Sequence, residues 1–221
     1  MNKLELPGKL AVSLDFDGPV FPRFPAQLEV LRPWNYGKPL SLHSPIRWED
    51  RLPEERPLTR GEFNEITRHA KRAVKPEVAY LINQTDVPIF GNTGRYNHIS
   101  MVTVTLRELE KAGIRDKFVD VLFKPHGVES DEGKYWGIRE MKDKGYTNIV
   151  HYDDNARTVR RLAQALHDVR FVIVQDLTSG ILFSLKEMKK FPNVARIAIS
   201  KNAQVEVVYM PLKFGEFPLA A

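Results

Sequence analysis

Two acidic residues at the end of a short apolar run are the first feature of the sequence that could do chemistry. Asp15 and Asp17 follow the run 10–14, and Gly18 comes directly after them. Side chains alternate along a strand, so both carboxylates point to the same side. Like charges this close repel unless a cation or a proton compensates them. The pair therefore indicates metal binding or acid–base chemistry, although aspartates also end strands and begin turns without further function.

Chemically active residue types also follow two later apolar runs. Thr93 comes after the second run, and Asp153 and Asp154 come after the fourth. A lysine, Lys134, opens the helix predicted before that fourth run. In an open α/β sheet, ligands bind at the carboxyl ends of the parallel strands. We therefore expect one site formed by Asp15, Asp17, Thr93, Lys134, Asp153 and Asp154.

Apolar runs and helical patterns alternate along most of the chain, which predicts the elements that would position these residues. The predicted strands are 10–14, 87–91, 118–123, 148–152 and 170–174, followed by a hairpin of 194–199 with 205–210. The predicted helices are 59–74, 75–83, 98–112, 131–144, 156–166 and 179–190. Strands that alternate with helices of about 10 to 15 residues are typical of right-handed crossovers. We predict an α/β fold with a mainly parallel sheet covered on both faces.

A stretch rich in proline and aromatic residues interrupts this pattern after the first strand. Its prolines exclude a long helix or a central strand, so we predict a small irregular cap insertion. The predicted core is 1–18 with 75–221, and the insertion is 19–74, although its final helix could belong to either part. The insertion carries Arg32, Trp34 and Trp48. Such arginine and tryptophan side chains are candidates for stacking on a substrate base, and the alternative is a surface flap whose aromatic residues are structural.

Composition limits the classes of protein to which the chain can belong. The 221 residues, 43% of them hydrophobic, suffice for one large domain with an insertion. No cysteine is present, which excludes disulfides, iron–sulfur clusters and thiol nucleophiles. No apolar run approaches the roughly 18 residues of a membrane span, so we expect a cytoplasmic monomer or homodimer with no membrane partner. The formal net charge of +5 favours anionic partners such as nucleic acid or phosphorylated metabolites.

Two other patterns do not predict a site. His43, His126 and His151 lack metal-ligand spacing, and His151, in an apolar strand, is expected to be a structural residue with its hydrogen bonds satisfied. The stretch 91–95 is not a phosphate-binding P-loop, because it lacks the final lysine and hydroxyl residue.

The motifs resemble those of the haloacid dehalogenase superfamily of aspartate-nucleophile phosphohydrolases. Three stretches match its first, second and fourth motifs, namely Asp15-Phe16-Asp17-Gly18, Thr93-Gly94-Arg95 and Asp153-Asp154. The third motif is a lysine with two candidates, Lys134, which we favour, and Lys124 at the end of the third strand. Among the branches of the superfamily, these motifs are most similar to those of the polynucleotide phosphatases and the magnesium-dependent phosphatases. Many members have an acid at the position of Arg157, so Asp154 would supply the second acid of the fourth motif.

The resemblance implies a Rossmann-like three-layer sandwich and a mechanism. Asp15 would attack phosphorus to form an aspartyl-phosphate, and Asp17 would protonate the leaving oxygen and then activate water. The implied Mg²⁺ ligands are Asp15, the backbone oxygen of Asp17, Asp153 and Asp154. The implied phosphate-binding groups are Thr93, Lys134 and the residues around them, Asn92, Gly94, Arg95 and Lys124.

We therefore expect a Mg²⁺-dependent phosphatase that acts on a phosphomonoester. The basic charge favours a nucleotide or a nucleic-acid 3′-phosphate end as substrate, and a small phosphometabolite or a phosphoprotein is the alternative. The alternative from another class is a module that keeps the fold to bind anions without turnover.

Overall fold

The structure, a computed structural model, describes residues 8–22, 52–175 and 183–211, together with Phe214 and Pro218. Most of the predicted insertion, including Arg32, Trp34 and Trp48, lies outside the described residues, as does the start of the helix predicted over 179–190. Among the described helices, none has both the length and the apolar character that a membrane crossing requires.

Seven strands of the described chain form one sheet. They are β1 (Lys9–Leu14), β2 (Ile89–Tyr96), β3 (Phe118–Lys124), β4 (Tyr146–Asp153), β5 (Arg170–Val174), β6 (Val194–Ile199) and β7 (Val205–Tyr209). Their order across the sheet is β3-β2-β1-β4-β5-β6-β7. All neighbouring strands are parallel except β6 and β7, which pair antiparallel as predicted. The predicted α/β class with a mainly parallel sheet is confirmed, and β1 lies inside the sheet, between β2 and β4.

The described helices are α1 (Arg60–His69), α2 (Pro76–Gln84), α3 (Ile99–Lys111), α4 (Ser130–Asp143), α5 (Ala156–Ala165) and α6 (Leu185–Met188). Helix α1 begins at the predicted capping box, in which Thr59 Oγ1 accepts the Glu62 N–H and the Glu62 carboxylate accepts the Thr59 N–H. It ends at His69, five residues before the predicted end at 74.

The sheet is covered on both faces because strand residues alternate between two apolar clusters. Val12 and Leu14 of β1 belong to one cluster, which also contains residues of α2 and α3. Ala11 belongs to the other cluster, with residues of α4 and α5. A parallel sheet buried on both faces holds its strand ends rigidly, and this is the framework on which the site depends.

Strand β2 differs from its prediction. Residues 92–95 are strand, not the polar turn that their composition indicated, and this correction has a clear cause. Asn92 pairs with Leu122 and Thr93 with Phe123 of β3, so the ladder hydrogen bonds outweigh the low strand propensity of asparagine and glycine. The register shifts between Thr93 and Tyr96, where the ladder is irregular.

Helix α1 packs on the core through α3. Ile66 of α1 lies in a small apolar cluster with Tyr96 and with Met101 of α3. The segment before α1 is also attached, because the Glu54 N–H donates to Asn97 O at 2.9 Å and the Ile99 N–H donates to Glu54 O at 3.1 Å. The segment of the predicted insertion around Glu54 therefore lies against the connection between β2 and α3.

Candidate active site at the carboxyl edge of the sheet

Three buried carboxylates meet where β1 and β4 end. Asp15 follows β1 and its N–H donates to Tyr152 O of β4 at 2.9 Å, while Asp153 is the last residue of β4 and Asp154 follows it. One oxygen from each of the three carboxylates lies within 4.8 Å of the others. All three residues are buried. The parallel pairing of β1 with β4 thus brings together acids that are far apart in the sequence.

Lys134, the fifth residue of α4, contacts two of these carboxylates. Its Nζ lies 2.9 Å from Asp15 Oδ2 and 2.6 Å from Asp153 Oδ2. Burial works against the lysine charge, but Asp15 and Asp153 outweigh it and raise the pKa of Lys134. Three carboxylates around one ammonium leave an excess of negative charge when all are ionised.

The charge of Asp15 is only partly compensated by the protein. Burial raises the pKa of Asp15 to about 7, and the attraction of Lys134 is partly offset by repulsion from Asp153 and Asp17. Its Oδ1 is buried and has no hydrogen-bond partner among the described residues. A buried carboxylate oxygen without a donor is costly, and a hard cation satisfies it. The all-oxygen donor set of Asp15, Asp153 and Asp154 fits Mg²⁺.

Asp17 faces a group of basic side chains instead. Arg95 donates from Nε to Oδ2 at 3.1 Å and from Nη2 to Oδ1 at 2.8 Å, and Arg72 donates from Nη1 to Oδ1 at 2.7 Å. His69 Nδ1 lies 3.6 Å from Asp17 Oδ1. Burial opposes ionisation, but Arg95, His69 and Arg72 outweigh it and hold the pKa of Asp17 well below its usual range. The side chain of Asp17 is not in the three-carboxylate group, so its implied metal ligand is the backbone oxygen alone.

The turn after β1 packs directly on the acid of the fourth motif. Gly18 has a φ of +117°, and a Cβ added to it would lie 1.7 Å from Asp154 Oδ2. The Phe21 N–H donates to Phe16 O at 2.7 Å and closes the turn. Lys75 Nζ donates to Gly18 O from the start of α2. Glycine is therefore required here both for its backbone conformation and for the close approach of Asp154.

The second-motif residues lie at the end of β2 and are mostly buried. Thr93 Oγ1 accepts the Arg95 N–H at 3.2 Å. Gly94 lies against the start of α4, because a Cβ there would be 2.2 Å from Ser130 Oγ. The Arg95 guanidinium binds Asp17 and also donates to Thr105 Oγ1 at 2.8 Å. Arg95 therefore fixes Asp17, and a direct contact of Arg95 with substrate stays a prediction.

Two other predicted substrate-binding residues have different surroundings. Asn92 is buried, and its Nδ2 donates to Ser13 Oγ at 3.3 Å and to Lys134 O at 3.0 Å. Lys124 forms no ion pair with any described acid, and burial lowers its pKa against the attraction of Glu65 and Glu54. Of the two third-motif candidates, Lys134 is the one placed beside Asp15.

Sequence reasoning missed three residues that contact the acids. His69 is the last residue of α1 and Arg72 follows the helix. Both belong to the predicted insertion and contact Asp17. His151, expected to be a satisfied structural histidine, contacts Ser13 at 2.8 Å and Asp153 at 3.4 Å. Burial lowers the pKa of His151. The only available signal for His151 was its position two residues before Asp153, which places both side chains on the same side of β4.

No protein-family model matches the sequence, and no curated protein matches it either. Two solved structures are similar to it. A haloacid dehalogenase-like family hydrolase from Streptococcus pneumoniae is 10% identical with a TM-score of 0.47, over 86% of this chain and 94% of that chain. The HAD domain of an effector protein from Legionella pneumophila is 15% identical with a TM-score of 0.43, over 83% of this chain and 96% of that one. Both similarities are distant, so the site is described from the residues of this chain alone.

Proposed function

We propose that the chain is a magnesium-dependent phosphatase of the haloacid dehalogenase type, which hydrolyses a phosphomonoester through an aspartyl-phosphate on Asp15. The observation that carries this proposal is the buried group of Asp15, Asp153 and Asp154 with Lys134 in contact with the first two. Burying so many like charges is costly for a purely structural cluster. Binding of a divalent cation would compensate the negative charge that Lys134 alone does not balance.

The residues at the edge fit the metal that this chemistry requires. Asp15, Asp153 and Asp154 would hold the ion, with the backbone oxygen of Asp17 as a further ligand. When bound, Mg²⁺ would neutralise the repulsion between the carboxylates and the phosphate and stabilise charge on the transferred phosphoryl group.

Asp15 would form a bond to phosphorus while the bond from phosphorus to the leaving oxygen breaks. This splits one difficult hydrolysis into two easier steps. Lys134 favours the anionic forms of Asp15 and Asp153 and would neutralise charge on the phosphoryl oxygens. The Thr93 hydroxyl and the N–H groups at the start of α4 lie at the same edge of the sheet and would bind those oxygens.

Asp17 would act as the proton-transfer group. Its ionised carboxylate is suited to accept a proton from the water that hydrolyses the aspartyl-phosphate. To donate a proton to the leaving oxygen in the first step, Asp17 must first be protonated, which Arg72 and Arg95 oppose. We therefore expect substrates whose leaving groups need little protonation, such as aryl phosphates, to react fastest.

The substrate proposed on charge grounds is a nucleotide or a nucleic-acid 3′-phosphate end. The support is the formal net charge of +5, which attracts polyanions. A phosphometabolite or a phosphoprotein is the alternative. Phosphate release measured across nucleotides, 3′-phosphorylated oligonucleotides and sugar phosphates would separate these classes.

Hydrolysis of an aryl phosphate by the purified chain tests the activity itself. We expect turnover with Mg²⁺ that is lost on adding EDTA, and a phosphoenzyme that can be trapped by rapid acid quenching. An absence of turnover with Mg²⁺ and with other divalent cations would overturn the proposal and favour an anion-binding module.

A further inference from the structure

A closed set of buried hydrogen bonds lies beneath the proposed metal site. His151 forms its centre, with Nδ1 2.8 Å from Ser13 Oγ and Nε2 3.4 Å from Asp153 Oδ2. Asn92 Nδ2 donates to Ser13 Oγ and also to the carbonyl of Lys134, whose Nζ donates to Asp153 Oδ2 at 2.6 Å. The connections thus return to Asp153, and all five residues are buried.

The sheet register brings these residues together on one face. Ser13 of β1 and His151 of β4 are direct partners in the parallel pairing. Ser13 is also the partner of Phe90 in β2, and Asn92 lies two residues further along that strand on the same face. This is the face covered by α4, which supplies Lys134. The arrangement therefore depends on the central strands of the sheet and not on loops.

Of the two neutral forms of the His151 ring, only one gives every member of the set a suitable partner. With hydrogen on Nε2, the ring donates to Asp153, and Nδ1 accepts the Ser13 hydroxyl hydrogen. Ser13 Oγ remains free to accept from Asn92 Nδ2. With hydrogen on Nδ1 alone, an Nε2 lone pair would face the Asp153 carboxylate. A ring whose second nitrogen is fixed in this way holds its orientation.

We propose that His151 is a positioning residue that fixes the Asp153 carboxylate for metal binding, and that Ser13 and Asn92 in turn fix His151. Asp153 Oδ2 is shared by His151 and Lys134, while Oδ1 accepts the Asn155 N–H at 2.7 Å. Donors on both oxygens prevent rotation of the carboxylate and orient its remaining lone pairs. This inference rests on the proposed function, because it concerns the same site.

Two substitutions of His151 separate its two contacts. His151→Gln can place an amide nitrogen near the position of Nε2 and keep the contact with Asp153. His151→Asn can reach Ser13 but not Asp153. Since loss of such a supporting contact typically weakens metal binding about 10- to 100-fold, we expect that loss of Mg²⁺ affinity in His151→Asn. We expect a smaller, several-fold loss in His151→Gln, which keeps the contact with Asp153 but not the contact with Ser13.

Isothermal titration with Mg²⁺ measures this affinity without requiring turnover. His98→Asn is the matched control, because His98 is also buried but contacts Ser100 N and Arg56 O instead of an acid of the site. It should lower the melting temperature without changing Mg²⁺ affinity. If His151→Asn does not fold, Ser13→Ala should still weaken Mg²⁺ binding several-fold, because it removes the ring contact farthest from Asp153 together with the acceptor of Asn92 Nδ2.

The outcomes distinguish this inference from the proposed function. Parent protein that binds Mg²⁺, with His151→Asn and Ser13→Ala binding equally well, would overturn the positioning role and leave the phosphatase proposal intact. Equal losses in the asparagine and glutamine variants would also contradict it, because the contact with Asp153 would then not be what matters. Parent protein that binds no divalent cation would overturn the proposed function and this inference together.

Discussion

Asp15 and Asp153 both contact Lys134, but their pKa values are shifted in opposite directions. Burial disfavours the charge of both, yet Lys134 and His151 lower the pKa of Asp153, whereas the pKa of Asp15 rises to about 7. The protein thus outweighs the burial cost of the charge on Asp153 but compensates the charge on Asp15 only in part. This difference agrees with a permanent metal ligand in Asp153 and a nucleophile in Asp15.

Asp15→Asn is expected to abolish turnover, because the amide is a poor nucleophile, while leaving the fold intact. Steady-state hydrolysis of an aryl phosphate gives the rate, and circular dichroism with the melting temperature shows that the chain remains folded. We expect a loss of at least about 10³-fold, the size typical for removal of a covalent nucleophile. Activity within tenfold of the parent would remove Asp15 as the nucleophile.

Lys134→Ala and Lys124→Ala form a matched pair that tests which lysine serves the site. Lys134 lies within 2.9 Å of Asp15, whereas Lys124 forms no ion pair with a described acid. We expect a loss of about 10²- to 10³-fold in kcat for Lys134→Ala, the size typical for one group that stabilises transition-state charge. Lys124→Ala should stay within about threefold.

The melting temperatures of the same pair provide a second check. Lys134→Ala leaves two buried carboxylates without their shared partner and should be less stable by about 3–5 kcal/mol. A larger effect of Lys124→Ala on kcat would assign the third motif to Lys124 instead.

The strands were predictable where their composition and their environment agree. β1 is apolar and lies inside the sheet, and its apolar sequence correctly predicted a strand that ends directly before Asp15. Asp17 lies three residues past the strand, in the turn, where the alternation of strand side chains no longer applies. β2 was predicted too short, because residues 92–95 are polar or glycine and reveal their strand state only through pairing with β3. The helix cap at Thr59 could be predicted from the sequence because it is a local interaction over three residues.

Gly18→Ala tests whether the turn after β1 and the end of β4 must approach this closely. A Cβ would lie 1.9 Å from Asp154 Cγ, so the carboxylate must move or the turn must open. We expect loss of most activity and a weaker stabilisation by Mg²⁺, measured by aryl phosphate hydrolysis and by thermal unfolding.

Gly145→Ala is the control for backbone strain in that experiment. Gly145 also has a positive φ, +88°, but a Cβ there would meet nothing within 4 Å. The control should lose about 1–2 kcal/mol of stability from the unfavourable φ and keep its activity. Equal activity losses in both variants would show that strain, not contact with Asp154, is responsible.

The contacts that complete the site join distant parts of the chain. Arg72 is 55 residues from Asp17, and Arg95 is 78 residues from it. No local pattern marks these arginines as partners of one carboxylate, since their pairing depends on how α1 and β2 pack around the turn after β1. Motif spacing located the acids, and only the folded chain shows which basic groups surround Asp17.

Magnesium should stabilise the whole fold if three carboxylates bind it, because a ligand that binds only the native state shifts the unfolding equilibrium. At about 100 times its dissociation constant a ligand contributes about 2.7 kcal/mol. In a protein of this size each kcal/mol raises the melting temperature by about 2–4 °C, so we expect a rise of about 5–10 °C with Mg²⁺ over EDTA at equal ionic strength.

Asp153→Asn should lose most of that rise in melting temperature. Asp168→Asn is the control, since Asp168 is exposed and pairs with Lys142 at 2.6 Å, and it should keep the full rise. An Asp153→Asn variant that is stabilised as much as the parent would show that the cation binds elsewhere.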